Sequence, residues 1–381
     1  MFTRRFLLST SLVGAGSILL RQATAQEAKS PVKTADQIAA RAIEFLRTKG
    51  QDSSGAFTEK SGPAITALVL TGVLSNGHGA SEPFVAKSLK YLETFIQPDG
   101  GIYKPSSAHQ NYETSIAVMA FAAANNDGRY DAVIKKADAF LKKLQWDETE
   151  EKNKEDVFYG GAGYGNSKRP DLSNTSFFIE ALKSAGNDAD SQAIQRALVF
   201  VSRCQNLESE HNTTEFAAKS PDGGFYYTPA NGGSSMAGKE ESGALRSYAS
   251  MTYAGLKSMI YAGVKKDDKR VKAAMAWLKK NYDLKTNPGM DKAGPGMDQA
   301  GLFYYYQTIA KCLEAYGEDK FVDASGKEHD WRAEIIAELA QRQSEDGSFV
   351  NTQARWMEGD ANLVTGYALL ALAHCRPKAG K

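Results

Sequence analysis

The chain has 381 residues, with 46 Lys and Arg against 45 Asp and Glu, 42% hydrophobic residues and a formal net charge of +1. These proportions belong to a globular chain and exclude a disordered or collagen-like one. With no block of like charge to neutralise phosphates, nucleic acid is excluded as a partner.

The first feature in chain order is a leader. Arg4 and Arg5 precede an apolar run from Phe6 to Leu20, followed by the small residues Ala23, Thr24 and Ala25. A charged region, an apolar region and a small-residue cleavage site predict an export signal over 1–25, with the mature chain starting at Gln26. The run is short of the ~20 apolar residues that a membrane-spanning helix needs, so no transmembrane helix is expected in the mature chain. The string Thr3-Arg4-Arg5-Phe6-Leu7-Leu8 resembles a twin-arginine export signal. A periplasmic or secreted protein follows from this reading. Residues 26–35 form a short polar leader.

From residue 36 onward the sequence repeats. Six threonine-led apolar windows start at Thr66, Thr114, Thr175, Thr252, Thr308 and Thr365, at spacings from 48 to 77 residues. Each is apolar nearly all round, as a buried helix is. Before each lies a more amphipathic segment whose end carries bulky residues and then Gln or Asn. These ends are Phe45, Leu46 and Gln51; Tyr91, Leu92 and Gln97; Phe140, Leu141 and Gln145; Phe200, Val201 and Gln205; Trp277, Leu278 and Asn281; and, more loosely, Leu339 to Gln343. Lys, Arg and Glu on their other face predict an outer, solvated layer.

Between the two segments of each pair stands a glycine-rich turn with an aromatic, at 53–57, 98–103, 160–165, 221–227, 300–306 and 345–349. Glycine supplies positive φ there, and the aromatic plugs the helix junction. Six such pairs bury their inner helices only by closing on themselves. The expected fold is all-α, a single (α/α)6 toroid over 36–377. Insertions at 147–158, 206–247 and 283–303 are expected to rim one end of the ring. Cys204, Cys312 and Cys375 fall in helix-like apolar stretches and are expected to be buried free thiols.

The Gln, Asp-Gly and aromatic pattern of QPDGGIY (97–103) and QSEDGSF (343–349) resembles the repeat of squalene and hopene cyclases and of protein prenyltransferase β subunits. The resemblance covers nearly all of the mature chain and implies the toroid. Cyclases of that family protonate an alkene with the central Asp of a DxDDT motif. The positions two before each repeat threonine are Ala64, Tyr112, Ser173, Ser250, Tyr306 and Leu363, none of them a carboxylate. The zinc-holding Asp of the prenyltransferases lies two before a Cys, where this chain has Ser202, Ala310 and Ala373. No metal and no cofactor is therefore expected.

Polar candidates cluster at the turns and inner-helix starts, which a toroid brings to one mouth. Glu113, Asp298 and Asp360 are the candidate catalytic acids, and His109, Tyr112, Tyr304, Tyr305, Trp356 and Glu358 the candidate ligand-binding residues. Each has a plainer role open to it: acids favour helix N-termini, buried tyrosines pack and pair, and histidines sit in exposed loops. The favoured expectation is an exported toroid that binds a hydrophobic or isoprenoid-type ligand in an aromatic cavity, with turnover left open. The alternatives are a glycan lyase- or hydrolase-like enzyme, by analogy of fold, and a scaffold for protein contacts. Nothing in the sequence sets an oligomeric state.

Overall fold

The structure, a computed structural model, describes residues 33–165 and 168–376. The export leader expected over 1–25, and residues 26–32 of the polar leader, lie outside the described residues. Among the described residues twelve α-helices alternate between two layers. The outer set is α1 (Ala35–Phe45), α3 (Pro83–Glu93), α5 (Asp131–Lys143), α7 (Gln192–Arg203), α9 (Lys269–Lys280) and α11 (Trp331–Arg342). The inner set is α2 (Pro63–Ser75), α4 (Gln110–Ala123), α6 (Leu172–Ser184), α8 (Ala249–Tyr261), α10 (Leu302–Tyr316) and α12 (Ala361–Cys375). Each inner helix packs on the next, and α12 packs on α2, which closes the ring. The fold is the all-α toroid that the repeats imply, with one two-residue hairpin pairing Phe321–Val322 and Glu328–His329.

Local chemistry explains both layers. Helix α1 opens on a capping box in which Thr34 and Gln37 satisfy each other's backbone amides. In α5 the buried residues Ile134, Ala137, Phe140 and Leu141 form one stripe, while Lys142 and Lys143 sit favourably at the negative end of the helix. Helix α2 starts on Pro63, whose missing N–H costs nothing there, and is buried on all faces from Pro63 to Leu70.

The repeat residues prove to be backbone fasteners. The glutamine that ends an outer helix donates to a carbonyl at the start of the next outer helix: Gln51 to Phe84, Gln145 to Ala193, Gln205 to Arg270 and Gln343 to Ile38. The last of these closes the outer ring. The turn glycine has positive φ and lies directly on the next outer helix, so a Cβ at Gly160 would stand 1.8 Å from the Arg196 carbonyl oxygen. The inner-helix threonine accepts an amide N–H from the turn: Phe57 to Thr66, Ile102 to Thr114, Ala162 to Thr175, Phe225 to Thr252 and Phe349 to Thr365, at 2.9–3.0 Å.

The fifth pair departs from this scheme. Thr308 bonds back to the Tyr304 carbonyl within its own helix. Residues 302–306, which the glycine-aromatic pattern assigns to a turn, are the first turns of α10. The insertion 147–158 also sits elsewhere than expected. It is tied to outer helix α7 by Asp147 with Arg196 and by the Asp156 carbonyl with Arg203, and it contributes nothing to the cavity lining. Cys204, Cys312 and Cys375 are buried and unbridged.

One polar cluster interrupts the inner ring. Glu180 on α6 is bonded by Lys311 of α10 at 2.6 Å and by Lys257 of α8, all three side chains being buried. Burial would raise the Glu180 carboxyl, but the two ammonium groups hold it down to about 2. Burial and the like charge of Lys311 outweigh Glu180 at Lys257, which is pulled below the usual lysine range.

Candidate functional site

The inner helices start around a cavity of about 760 Å³. Its wall takes Ala64 and Ile65 from α2, Tyr112 and Glu113 from α4, Ser173 and Phe177 from α6, Ser250 and Met251 from α8, Tyr304 from α10, and Leu363 and Tyr367 from α12. Positions two before and two after the threonine are four apart and share a helix face, which is the face turned to the lumen. Of the six positions aligned with the cyclase acid, Ala64, Tyr112, Ser173, Ser250 and Leu363 line the cavity. The sixth, Tyr306, is buried in the wall with its hydroxyl on the Leu284 carbonyl.

Loops complete the site. Residues 60–61 and 104–109 form one wall, Tyr164 and Tyr227 another, Met236 reaches in from the 206–247 insertion, and Trp356 to Glu358 stand at the mouth. The rings pack edge to face: Tyr112 on Phe177 at 5.6 Å, Tyr304 on Tyr367 at 6.0 Å and His109 on Tyr164 at 5.0 Å. Such a lining suits an apolar ligand body.

The candidate acids take different positions. Glu113 lines the cavity at 5% exposure and accepts from the Lys104 amide at 2.7 Å and the Ser107 hydroxyl at 2.6 Å. Burial pushes its carboxyl above the usual range despite those bonds. Glu358 also lines the cavity, and its carboxylate accepts from the Tyr304 amide at 2.8 Å and Asn351 Nδ2 at 2.6 Å. It caps α10, and burial raises it too. Asp298 is outside the lining; its carboxylate bonds Gln299 beside a short helical turn, and its carbonyl takes the Asn287 amide. Asp360 is outside it as well, because it caps α12 through the Asn362 and Leu363 amides and holds the Thr58 hydroxyl.

Among the candidate binding residues, His109, Tyr112, Tyr304, Trp356 and Glu358 line the cavity. Tyr305 does not, since the next helical position turns its ring into the wall, where its hydroxyl meets the Asp283 carbonyl. Sequence reasoning missed Tyr164, Tyr227, Tyr248, Tyr367, Phe177 and the part of the loop before His109, residues 104–108. The helical face shared with the aligned positions would have found Phe177 and Tyr367. Among the described residues no group of three or more His, Cys, Asp and Glu could hold a metal ion, and no helix is long and apolar enough to cross a membrane.

Residues 51–229 match the squalene-hopene cyclase C-terminal domain family. No curated protein matches the chain in sequence. Solved structures share the fold at low identity. The type II terpene cyclase MstE from Scytonema has a TM-score of 0.54 at 14% identity, over 89% of this chain and 97% of its own. A family 76 glycoside hydrolase from a bovine Bacteroides thetaiotaomicron strain scores 0.55 at 12%, over 89% and 78%. A polysaccharide lyase scores 0.53 at 12%, over 89% and 96%. The repeat, the closed double ring and the match over residues 51–229 together make this chain an α/α toroid similar to the squalene-hopene cyclase domain.

Proposed function

We propose that this chain is exported and binds a hydrophobic, isoprenoid-type ligand within its toroid. The observation that carries the reading is the cavity of about 760 Å³ lined by rings and thioethers at the inner-helix starts. That volume lies within the range of roughly 300–1,000 Å³ of small-molecule sites, which take most of their binding from apolar contact. The leader over 1–25 supports a periplasmic or secreted location.

A second reading, a glycan lyase- or hydrolase-like enzyme, draws on a different observation. Glu113, its carboxyl raised by burial, lines the cavity together with His109 and Tyr164, a set able to exchange protons with a bound sugar. Native mass spectrometry with lipid extraction, on protein recovered from its own extracytoplasmic fraction, tests the first reading. A co-purifying isoprenoid that is absent from Ser173→Trp, where an indole fills the lumen, is the expected result. The same lipid retained by that folded variant overturns it, and turnover of an oligosaccharide by lipid-free protein favours the second.

A further inference from the structure

We propose that the ligand is an amphiphile whose head group is anionic, a carboxylate or a phosphate held at the mouth by Lys60 and Lys104 while its body lies among the rings. The proposal rests on the reading of the lumen as a site for an apolar body and adds the chemistry of the other end.

The argument is an inventory of charge around the mouth. The acids of the lining, and Asp360 and Asp171 next to it, are already committed to the protein, while Glu59 beside Lys60 is exposed and stands outside the lining. Glu113 holds the Lys104 amide and the Ser107 hydroxyl, Glu358 caps α10, and Asp360 caps α12. Asp171, behind the wall, caps α6 through the Asn174 amide at 2.9 Å. The lysines are less committed, since Lys104 acts on the Glu113 carboxylate only through its field. Lys60 and Lys104 line the cavity, are exposed, and form no ion pair among the described residues. Arg169 lies over the Tyr227 ring at 5.5 Å and Arg355 over the Trp356 ring at 4.9 Å, adding positive charge beside two lining aromatics.

Position reinforces sign. The Lys104 stem crosses Gly62, where an added Cβ would stand 3.3 Å from the Lys104 Cβ, so its amine is carried across the start of α2 rather than away from it. Glu113 fixes the Lys104 backbone and takes the Ser107 hydroxyl, and Ser61 and Ser106 bring hydroxyl groups to the lining. Phe177, Met251, Tyr304 and Tyr367 bring rings and a thioether to the lining, and the carboxylate beside them, Glu358, is held by the Tyr304 amide and Asn351. Cations at the opening of an apolar cavity concentrate the field there and draw an anion to that end.

The test compares three probes with one body, farnesol, farnesoic acid and farnesyl phosphate, by titration calorimetry on the full chain at low and high salt. The acid and the phosphate are expected to bind at least about tenfold more tightly than the alcohol at low salt, as charge-assisted bonds allow. Lys60→Ala with Lys104→Ala should erase that preference and its salt dependence, leaving the alcohol's Kd and the Tm unchanged. The tighter of the two anions identifies the head. Equal binding of all three overturns the head-group proposal and leaves the apolar-site reading standing. Binding of none overturns both. Inorganic phosphate binding as tightly as farnesyl phosphate overturns the amphiphile, because the body would then contribute nothing.

Discussion

The outer turns and the cavity mouth are built from the same six-fold repeat, yet they treat it in opposite ways. At the turns, copy after copy keeps Gln, Gly and Thr, because each bonds or abuts a backbone group whose position recurs around the ring. At the mouth the position two before the threonine reads Ala64, Tyr112, Ser173, Ser250 and Leu363. A ligand without six-fold symmetry meets each copy differently, so that position is free to diverge. Agreement among copies marks the scaffold, and divergence marks the site.

The inner ring has one place that breaks this division, a buried polar contact that belongs to neither class. Glu180→Gln leaves the Lys257 and Lys311 amines buried without a counter-charge. A loss of about 3–5 kcal/mol in urea denaturation is expected, as for one partner removed from a buried ion cluster. A loss under about 1 kcal/mol would mean that water reaches the cluster and that the inner ring is open at this level.

Two glycines of equal backbone conformation sharpen the scaffold side. Gly160 has φ +81° and Gly186 φ +88°, so alanine is strained at both, but only at Gly160 would the new Cβ meet a backbone carbonyl; nothing lies within 4 Å of it at Gly186. Gly186→Ala should cost about 1 kcal/mol and Gly160→Ala roughly 3 kcal/mol, the excess arising from the displacement of α7. Equal losses would show that φ alone selects the repeat glycine.

This division also explains what could be read from sequence. The repeat residues stand at a recurring place relative to each inner helix, so the pairs, the two layers and ring closure were legible from Gln, Gly and Thr alone. The fifth pair was legible only in part, because Thr308 bonds within its own helix and the Tyr304–Tyr306 run is helical. The site was less legible for the same reason that it diverges. Tyr304 and Tyr305 are neighbours in sequence, but a helix turns by about 100° per residue, and one ring faces the lumen while the other fills the wall. Asp298 and Asp360 have the residue type of catalytic acids; Asp360 takes the plainer helix-terminus role that its place before an inner helix already offered, whereas only the fold reveals that Asp298 sits off the lining. The 104–109 loop has no repeat counterpart, so its lysine and serines carried no signal.

A further pair compares an aspartate of each region. At Asp52, in the first outer turn, burial is the largest single influence and raises the carboxyl, but the bonds from Ser54, Ala56 and Gly55 together hold it below the usual range. Asp171 caps α6 near the mouth in a similar way, yet at 2% exposure burial outweighs its bonds with Asn174 and pushes it up to about 6. A carboxyl raised on folding binds its proton more tightly in the native state, so its contribution is full below about pH 4 and is lost as pH rises through 6. A rise from the ordinary 3.8 to about 6 corresponds to roughly 2–3 kcal/mol at most, and partial relaxation should leave about 2 kcal/mol. Asp171→Asn keeps a capping oxygen and removes the titration, so the difference in stability between variant and parent should grow in the variant's favour from about pH 4 to pH 7. Denaturation curves at several pH values measure it. A difference that does not change with pH would mean that Asp171 is solvated in the folded chain, and would move the boundary between scaffold and site inward to the lumen wall itself.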